Sequence, residues 1–270
     1  MKKCLRLMVV ILICITFLCG CIGNDNNESN GLNTPENGDT RLINVIKANG
    51  TYNPSIIYEE MYLNGEWNEI TSVSYTKYGR NLTGAFIPYM LGALSWIKTN
   101  TSEDSTILCW WDYGHMVEGL AERNAIATFA SSHLEDTIVY YSYFSEEKKN
   151  ADIEKKGGWN PKEKLEDIAK VFTCDNISSN KIRDILEKYN VKYILTRRYD
   201  TEIAIIFFKW FDKNTSEYIV NNSLTDKAKQ TLIFQLWMEK SVPFGLQLIG
   251  EFRSKDVYYF NYVRLFKVIL

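Results

Sequence analysis

The chain has 270 residues, of which 46% are hydrophobic and 14% aromatic, enough to bury one large core or two small ones. Its formal net charge is −2, about −5 once Lys2, Lys3 and Arg6 are set aside. No basic excess exists, so a nucleic-acid partner is not expected.

Lys2, Lys3 and Arg6 precede an apolar run from Leu7 to Cys19 that only Thr16 interrupts. The run falls short of the roughly 20 apolar residues that a spanning helix takes, and it fits a signal peptide over residues 1–20. Leu18-Cys19-Gly20-Cys21 then resembles a lipobox, with Cys21 as the acylated new N-terminus. The alternative is an uncleaved N-terminal anchor. Both place the remaining chain at the cell membrane, facing outside the cytoplasm, with the bilayer itself as one partner. Residues 22–40 are dominated by Asn, Gly, Asp, Glu, Ser and Thr and cannot build a core; a lipid-anchored flexible tether is expected over residues 21–50. Cys4, Cys14, Cys19 and Cys21 belong to the leader or its end. Cys109 and Cys174 remain, either paired in an oxidising compartment or with Cys109 a buried free thiol. No CxxC occurs, so no zinc framework is expected.

Asn64-Gly65 separates two β-prone runs, Ile56 to Leu63 and Trp67 to Tyr75, and predicts a hairpin within an extension spanning residues 51–86. From residue 87 onward helical and strand patterns alternate. Met90, Leu91, Leu94 and Ile97 recur at helical spacing, and residues 106–111 read as a short buried strand. A short helix is expected over residues 116–122. Asn160-Pro161 opens another, with Asn as N-cap and an apolar face of Leu165, Ile168, Ala169 and Phe172. Ser178 or Ser179 caps the next, residues 191–196 form a strand, and residues 203–211 a buried helix. Ser223 starts a helix running to about residue 239, with Asp226 at capping-box-like spacing. Residues 246–252 and 257–268 read as paired strands. The sum is an α/β fold: a mixed domain over residues 87–270, with a small central sheet flanked by helices, plus the N-terminal β-hairpin extension. No internal repeat and no later apolar run of spanning length occurs.

Trp110-Trp111-Asp112-Tyr113-Gly114 follows the predicted strand. Two adjacent indoles and a carboxylate are costly as packing alone, because a buried indole N–H needs an acceptor and an ionised Asp needs donors. Such a cluster can instead receive a ligand hydroxyl, with Asp112 accepting and an indole donating, while Gly114 lets the backbone turn sharply. The other reading is an aromatic corner in which Asp112 caps the helix starting near His115. His115 and Glu118 stand at i,i+3 but no third ligand is evident, so no metal site is assigned. Nucleophile-elbow, P-loop and Rossmann patterns do not occur.

At these residues the chain resembles the C-terminal globular domain of the oligosaccharyltransferase catalytic subunit, its archaeal form in particular. Ala93 to Thr101, Ile107-Leu108-Cys109, Ala121-Glu122-Arg123-Asn124 and Tyr189 to Leu195 resemble further segments of that domain. The resemblance implies that Trp110, Trp111 and Asp112 bind an Asn-x-Ser/Thr acceptor. It also points to Asp226, Lys229 and Ile233, which match that family's DxxKxxxI helix. On one helix these three fall within roughly 60° of one another, so that one face would flank the pocket, with Ile233 on the Thr methyl. The alternative is an ordinary i,i+3 ion pair. In that family the chemistry needs a divalent metal and a lipid-linked glycan held by a multi-spanning membrane region. No counterpart of that region is read here, so no catalytic residue and no cofactor are assigned.

Three functions follow as expectations: a membrane-tethered binding module for sequon-containing polypeptides; the soluble half of a split oligosaccharyltransferase with a multi-spanning membrane glycosyltransferase as partner; or a structural envelope lipoprotein retaining only the fold. The chain also carries Asn-x-Ser/Thr triplets at Asn27, Asn49, Asn81, Asn100, Asn176, Asn214 and Asn221. Asn27 and Asn49, in or near the tether, are the candidate glycosylation sites.

Overall fold

The computed structural model describes residues 35–129, 145–156, 158–211, 215–221, 223–238, 242–253 and 262–270. The predicted leader, Cys21 and Asn27 lie outside these residues. Two compact units emerge, one formed by Met1–Phe86 with Ser132–Trp159 and the other by Ile87–Ser131 with Asn160–Leu270.

The first unit is built on an antiparallel sheet in the order β1 (Thr40–Lys47), β2 (Ser55–Leu63), β3 (Glu66–Lys77), β4 (Arg80–Ala85). Asn64 and Gly65 close the β2–β3 hairpin with φ of 53° and 87°, the doubly left-handed turn whose twist matches the flanking strands. Ile57, Met61 and Leu63 on β2, and Ile70, Val73 and Tyr75 on β3, are buried. Tyr78-Gly79 closes β3–β4 by the same left-handed geometry, at φ of 54° and 72°. β1 corrects the expected tether over residues 40–47. Its strand pairs with β2 from Thr40↔Met61 to Lys47↔Ser55 although Leu42, Ile43, Val45 and Ile46 are all exposed. Backbone hydrogen bonding to a ready edge, rather than burial, makes it a strand. A helix, α3 (Glu146–Lys155), belongs to the same unit, and its Lys148 pairs with Asp39 at 3.3 Å.

The second unit is the mixed α/β part. Its sheet runs β10 (Leu246–Arg253), β11 (Tyr262–Val268), β7 (Val191–Arg197), β5 (Thr106–Leu108), β6 (Asn124–Ala125). β5 is parallel to both β6 and β7, whereas β11 is antiparallel to β7 and β10. Its helices include α1 (Leu91–Asn100), α2 (Gly114–Gly119), α4 (Lys162–Thr173), α5 (Asn180–Lys188), α6 (Asp200–Ile203), α7 (Ile205–Phe211), α8 (Asp226–Lys229) and α9 (Leu232–Met238). Leu165, Ile168, Ala169 and Phe172 form the buried face of α4, as their spacing predicts. Pro161, not Asn160, is its N-cap; the Asn160 amide turns away to donate to the Phe129 carbonyl at 3.1 Å. Among the described residues no helix is long and apolar enough to cross a membrane.

The helix expected from Ser223 is broken into three pieces. Ser223–Leu224 is a short strand, β9, paired with β8 (Ile219–Val220). Thr225, not Ser223, caps α8, its hydroxyl accepting from the Ala228 N–H at 3.3 Å. At Gln230–Thr231 the helix stops because the Leu232 N–H leaves the helical ladder for the Cys174 carbonyl at 2.7 Å, and α9 restarts from there. Cys174 and the fully buried Cys109 are both free thiols.

Candidate functional site

The site begins with an anchor. Arg123 lies buried behind the C-terminus of α1, where its guanidinium donates to the carbonyls of Lys98 at 2.6 Å and Thr101 at 2.7 Å. These are carbonyls that the end of a helix leaves without intrahelical partners. Arg123 thus ties two of the family-like segments together and fixes the approach to β5, all three of whose residues are buried.

After β5 the chain passes Trp110 into a 3₁₀ turn, Trp111–Tyr113, and then α2. Trp110 is 1% exposed and Trp111 is 2% exposed; their rings stack at 4.2 Å, and Phe207 of α7 packs on both. The indole N–H of Trp110 donates to Asp112 Oδ2 at 2.8 Å. Asp112 therefore does not cap α2: the N-cap is Tyr113, with no side-chain cap bond. Burial pushes the Asp112 carboxyl up to about 8; Arg197 and the Trp110 N–H pull against that, and Asp200 adds to it. Its other oxygen, Oδ1, accepts no hydrogen bond from a described residue. His115 is buried, its ring edge-on to Phe129 at 4.5 Å.

Gly114 has an ordinary helical φ of −56°, so it is not there to make a left-handed turn. Its role is steric, since a Cβ at this position would sit 2.1 Å from the Ala127 carbonyl oxygen. Gly114→Ala is therefore expected to lower stability by about 3 kcal/mol, because backbone on both sides must move. Urea unfolding measures this, and a loss within error of zero would show that the loop after β6 yields freely.

Behind the turn lies a polar cluster at the end of β7. The Tyr113 hydroxyl donates to Asp200 Oδ2 at 2.6 Å. The same oxygen accepts from the Thr196 hydroxyl at 3.2 Å and the Arg197 backbone N–H at 2.8 Å. Arg197 Nε meets Asp200 Oδ1 at 3.1 Å in a buried ion pair. The Trp237 indole of α9 donates to the Thr196 hydroxyl at 3.1 Å.

The Asp226, Lys229 and Ile233 set does not form one helical face. Asp226 and Lys229 make an exposed i,i+3 pair at 2.9 Å on α8. Ile233 lies past the break on α9 and is fully buried. The aromatic link to the tryptophan turn runs instead through α7, where Phe207 touches Trp110 and Trp111, and Phe208 stacks with Tyr218 at 4.5 Å and with Phe234 at 6.5 Å.

No family model matches the chain. In sequence, a stretch of 64 residues, 23% of the chain, is 34% identical to the STT3 subunit of the dolichyl-diphosphooligosaccharide–protein glycosyltransferase of Saccharomyces cerevisiae. A stretch of 35 residues, 13% of the chain, is 49% identical to the dolichyl-phosphooligosaccharide-protein glycotransferase 2 of Pyrococcus horikoshii. The chain is oligosaccharyltransferase-like in sequence. These matches bear out the resemblance read from the motif, and they span only 9% and 5% of those two relatives. Among solved structures, the C-terminal globular domain of an oligosaccharyltransferase from Archaeoglobus fulgidus is 20% identical, over 68% of this chain and 98% of that one, at a TM-score of 0.44. An oligosaccharyltransferase of the same organism, tethered with an acceptor peptide containing the NVT sequon, is 15% identical over 63% of this chain and 24% of that one, at a TM-score of 0.44.

Sequence reasoning singled out the oligosaccharyltransferase-like pentapeptide but missed what stands behind it, namely Arg197, Asp200 and Phe207. A signal was available for the first two. Arg197 and Asp200 are an i,i+3 opposite-charge pair at the end of an apolar strand, where a carboxylate can turn back on the strand's last N–H groups.

Proposed function

We propose that this chain is a binding module for Asn-x-Ser/Thr segments, working at a membrane outside the cytoplasm. One observation carries the reading. Asp112 lies in the 3₁₀ turn after a buried strand with parallel neighbours on both sides, with Oδ2 fixed by Trp110 and Oδ1 accepting nothing among the described residues. A ligand hydroxyl at Oδ1 would complete the carboxyl's hydrogen bonding, and the local likeness to protein glycosyltransferases supports a Ser or Thr of a sequon as its source. Attachment through an acylated Cys21, and a multi-spanning glycosyltransferase as partner, belong to the same proposal. So does modification at Asn27 and Asn49.

Calorimetric titration of Asn-x-Thr, Asn-x-Ala and Gln-x-Thr peptides tests it. Loss of one well-placed hydroxyl should weaken binding by about 1.4 kcal/mol, roughly tenfold. Asp112→Ala should erase the difference between the Thr and Ala peptides. Equal binding of those two by the native chain would sink sequon recognition. It would favour a purely structural turn, the reading that the near-complete burial of both indoles supports. Partnership is tested separately, by detergent co-purification of a multi-spanning protein with the native chain and its loss on Cys21→Ser.

A further inference from the structure

β1 stands at one edge of its sheet, with β2 beside it and no other described strand. Leu42, Ile43, Val45 and Ile46 are 53%, 54%, 40% and 46% exposed. They do not belong to a single uncovered face. Residues directly opposed on paired strands share a face of the sheet. Leu42 opposes Glu59 and Val45 opposes Ile57, which puts both on the face where Ile57, Met61 and Leu63 are buried. Ile46 opposes Ile56, on the other face. Ile43 is the extra residue of a bulge between Leu42 and Asn44 and opposes nothing on β2. The four aliphatic side chains thus surround the free edge from both faces rather than extend either core.

An added strand does not suit this edge. The bulge interrupts the ladder that such a strand would use. A second copy, paired antiparallel about Asn44 so as to use the whole strand, would set Arg41 against Lys47 twice, and like charges directly opposite are destabilising. A lipid surface does suit it. Such a surface takes apolar side chains without asking for a ladder, and water and headgroups at the interface can bond the edge backbone, as the hydrocarbon core could not. The strand carries no acidic residue. Its cations, Arg41 and Lys47, stand at the two ends, about 20 Å apart at roughly 3.3 Å per residue, with stems that can reach headgroups. Arg41 shares its charge with Glu60 at 2.5 Å and lies over the Trp67 ring, 4.5 Å from its centroid. Trp67 in turn packs edge-on to Tyr62 at 5.5 Å, and both rings are half-buried, the aromatic types that favour the headgroup level.

Position in the chain favours lipid over any other apolar partner. β1 is the first strand after Cys21, and residues 22–39 are all that separate Cys21 from Thr40. At about 3.5 Å per residue they reach no farther than roughly 65 Å, so an acyl group on Cys21 would hold this edge within that distance of a bilayer at all times. We infer that β1 is a membrane-docking strip, with Leu42, Ile43, Val45 and Ile46 entering the headgroup region of a phospholipid surface. The inference rests on the membrane attachment proposed above.

The test is photolabelling of the full chain, reconstituted in vesicles of phosphatidylcholine and phosphatidylglycerol that contain a diazirine-bearing phospholipid. Mass spectrometry of the peptides maps the label. The expected result is label in residues 41–47 and in the N-terminal peptide, which reports attachment by itself. Label in the N-terminal peptide but not in β1 would overturn the docking strip and leave the attachment standing. No label in either would overturn both. Equal label at Val220 and Phe244, 50% and 84% exposed in the other unit, would mean that exposure alone draws the probe, and would also overturn the strip. Cross-links between the β1 strands of two copies, in place of lipid label, would make a second copy the occupant. Ile43→Ser combined with Ile46→Ser should cut the β1 label about tenfold and spare the N-terminal label. An undiminished β1 label in that variant counts against the strip. Should the variant fail to fold, the native map decides alone.

Discussion

Asp112→Asn should make the protein more stable, and increasingly so as the pH rises. In the folded chain the Asp112 carboxyl titrates at about 8, against an ordinary value of 3.8, because burial penalises its charged form more than Arg197 and Trp110 favour it. Below pH 4 the group is protonated whether the chain is folded or not, and its contribution to stability is fully present. Between about pH 4 and pH 8 the unfolded chain releases the proton while the folded chain keeps it, so stability falls by up to about 1.4 kcal/mol per pH unit. Above pH 8 both states are ionised and the loss levels off. Asparagine does not titrate, and its amide oxygen can still accept from the Trp110 indole. Urea unfolding at pH 5, 6, 7 and 8 should therefore give a native curve that falls away from the variant curve. Parallel curves would mean that the carboxyl is better solvated than its 6% exposure suggests. A carboxyl kept here at a cost in stability, where an amide would serve packing as well, is what a ligand site requires.

Much of the fold could be read from the sequence where one physical cause dominated. Asn64-Gly65 has few conformations other than the left-handed pair that closes a hairpin, and the structure uses them. The apolar face of α4 repeats at helical spacing because one side of that helix is in the core. The failures share a different cause. β1 has a sequence that buries nothing, so no periodicity could reveal it; it is a strand because β2 offers an edge. The break between α8 and α9 depends on the Cys174 carbonyl, 58 positions away, taking the Leu232 N–H, a long-range competition that local pattern does not carry. That break also undid the grouping of Asp226, Lys229 and Ile233, which assumed one uninterrupted helix. At the site the motif residues were legible because their chemistry is unusual. Their supports were not, since Phe207 reads as ordinary core and Gly114 reads as a turn glycine when its role is to leave room for Ala127.

The second large effect is expected at Asp200, 1% exposed and joined to four donors. Asp200→Ala should destabilise by about 3–5 kcal/mol, because it strands the Arg197 charge in the interior and leaves the Tyr113 hydroxyl only its longer bond to the Leu195 carbonyl, at 3.2 Å. Asp200→Asn keeps an acceptor oxygen but not the charge and should fall between the native protein and Asp200→Ala. The loss belongs to the stranded partner more than to the pair. Arg197→Met combined with Asp200→Ala should therefore recover a substantial part of it, a non-additivity that a double-mutant cycle with the two single variants reads directly. Midpoints of urea unfolding at unchanged slope measure the four proteins of the cycle and Asp200→Asn. An Asp200→Ala cost below about 1 kcal/mol would mean that water or rearrangement satisfies Arg197 readily. Near-ultraviolet circular dichroism separates the outcomes further. A Tyr113 hydroxyl left with the Leu195 carbonyl alone should alter the signal of the stacked Trp110 and Trp111 rings in Asp200→Ala, while substitution of the exposed Lys229 by Ala should leave it as it is.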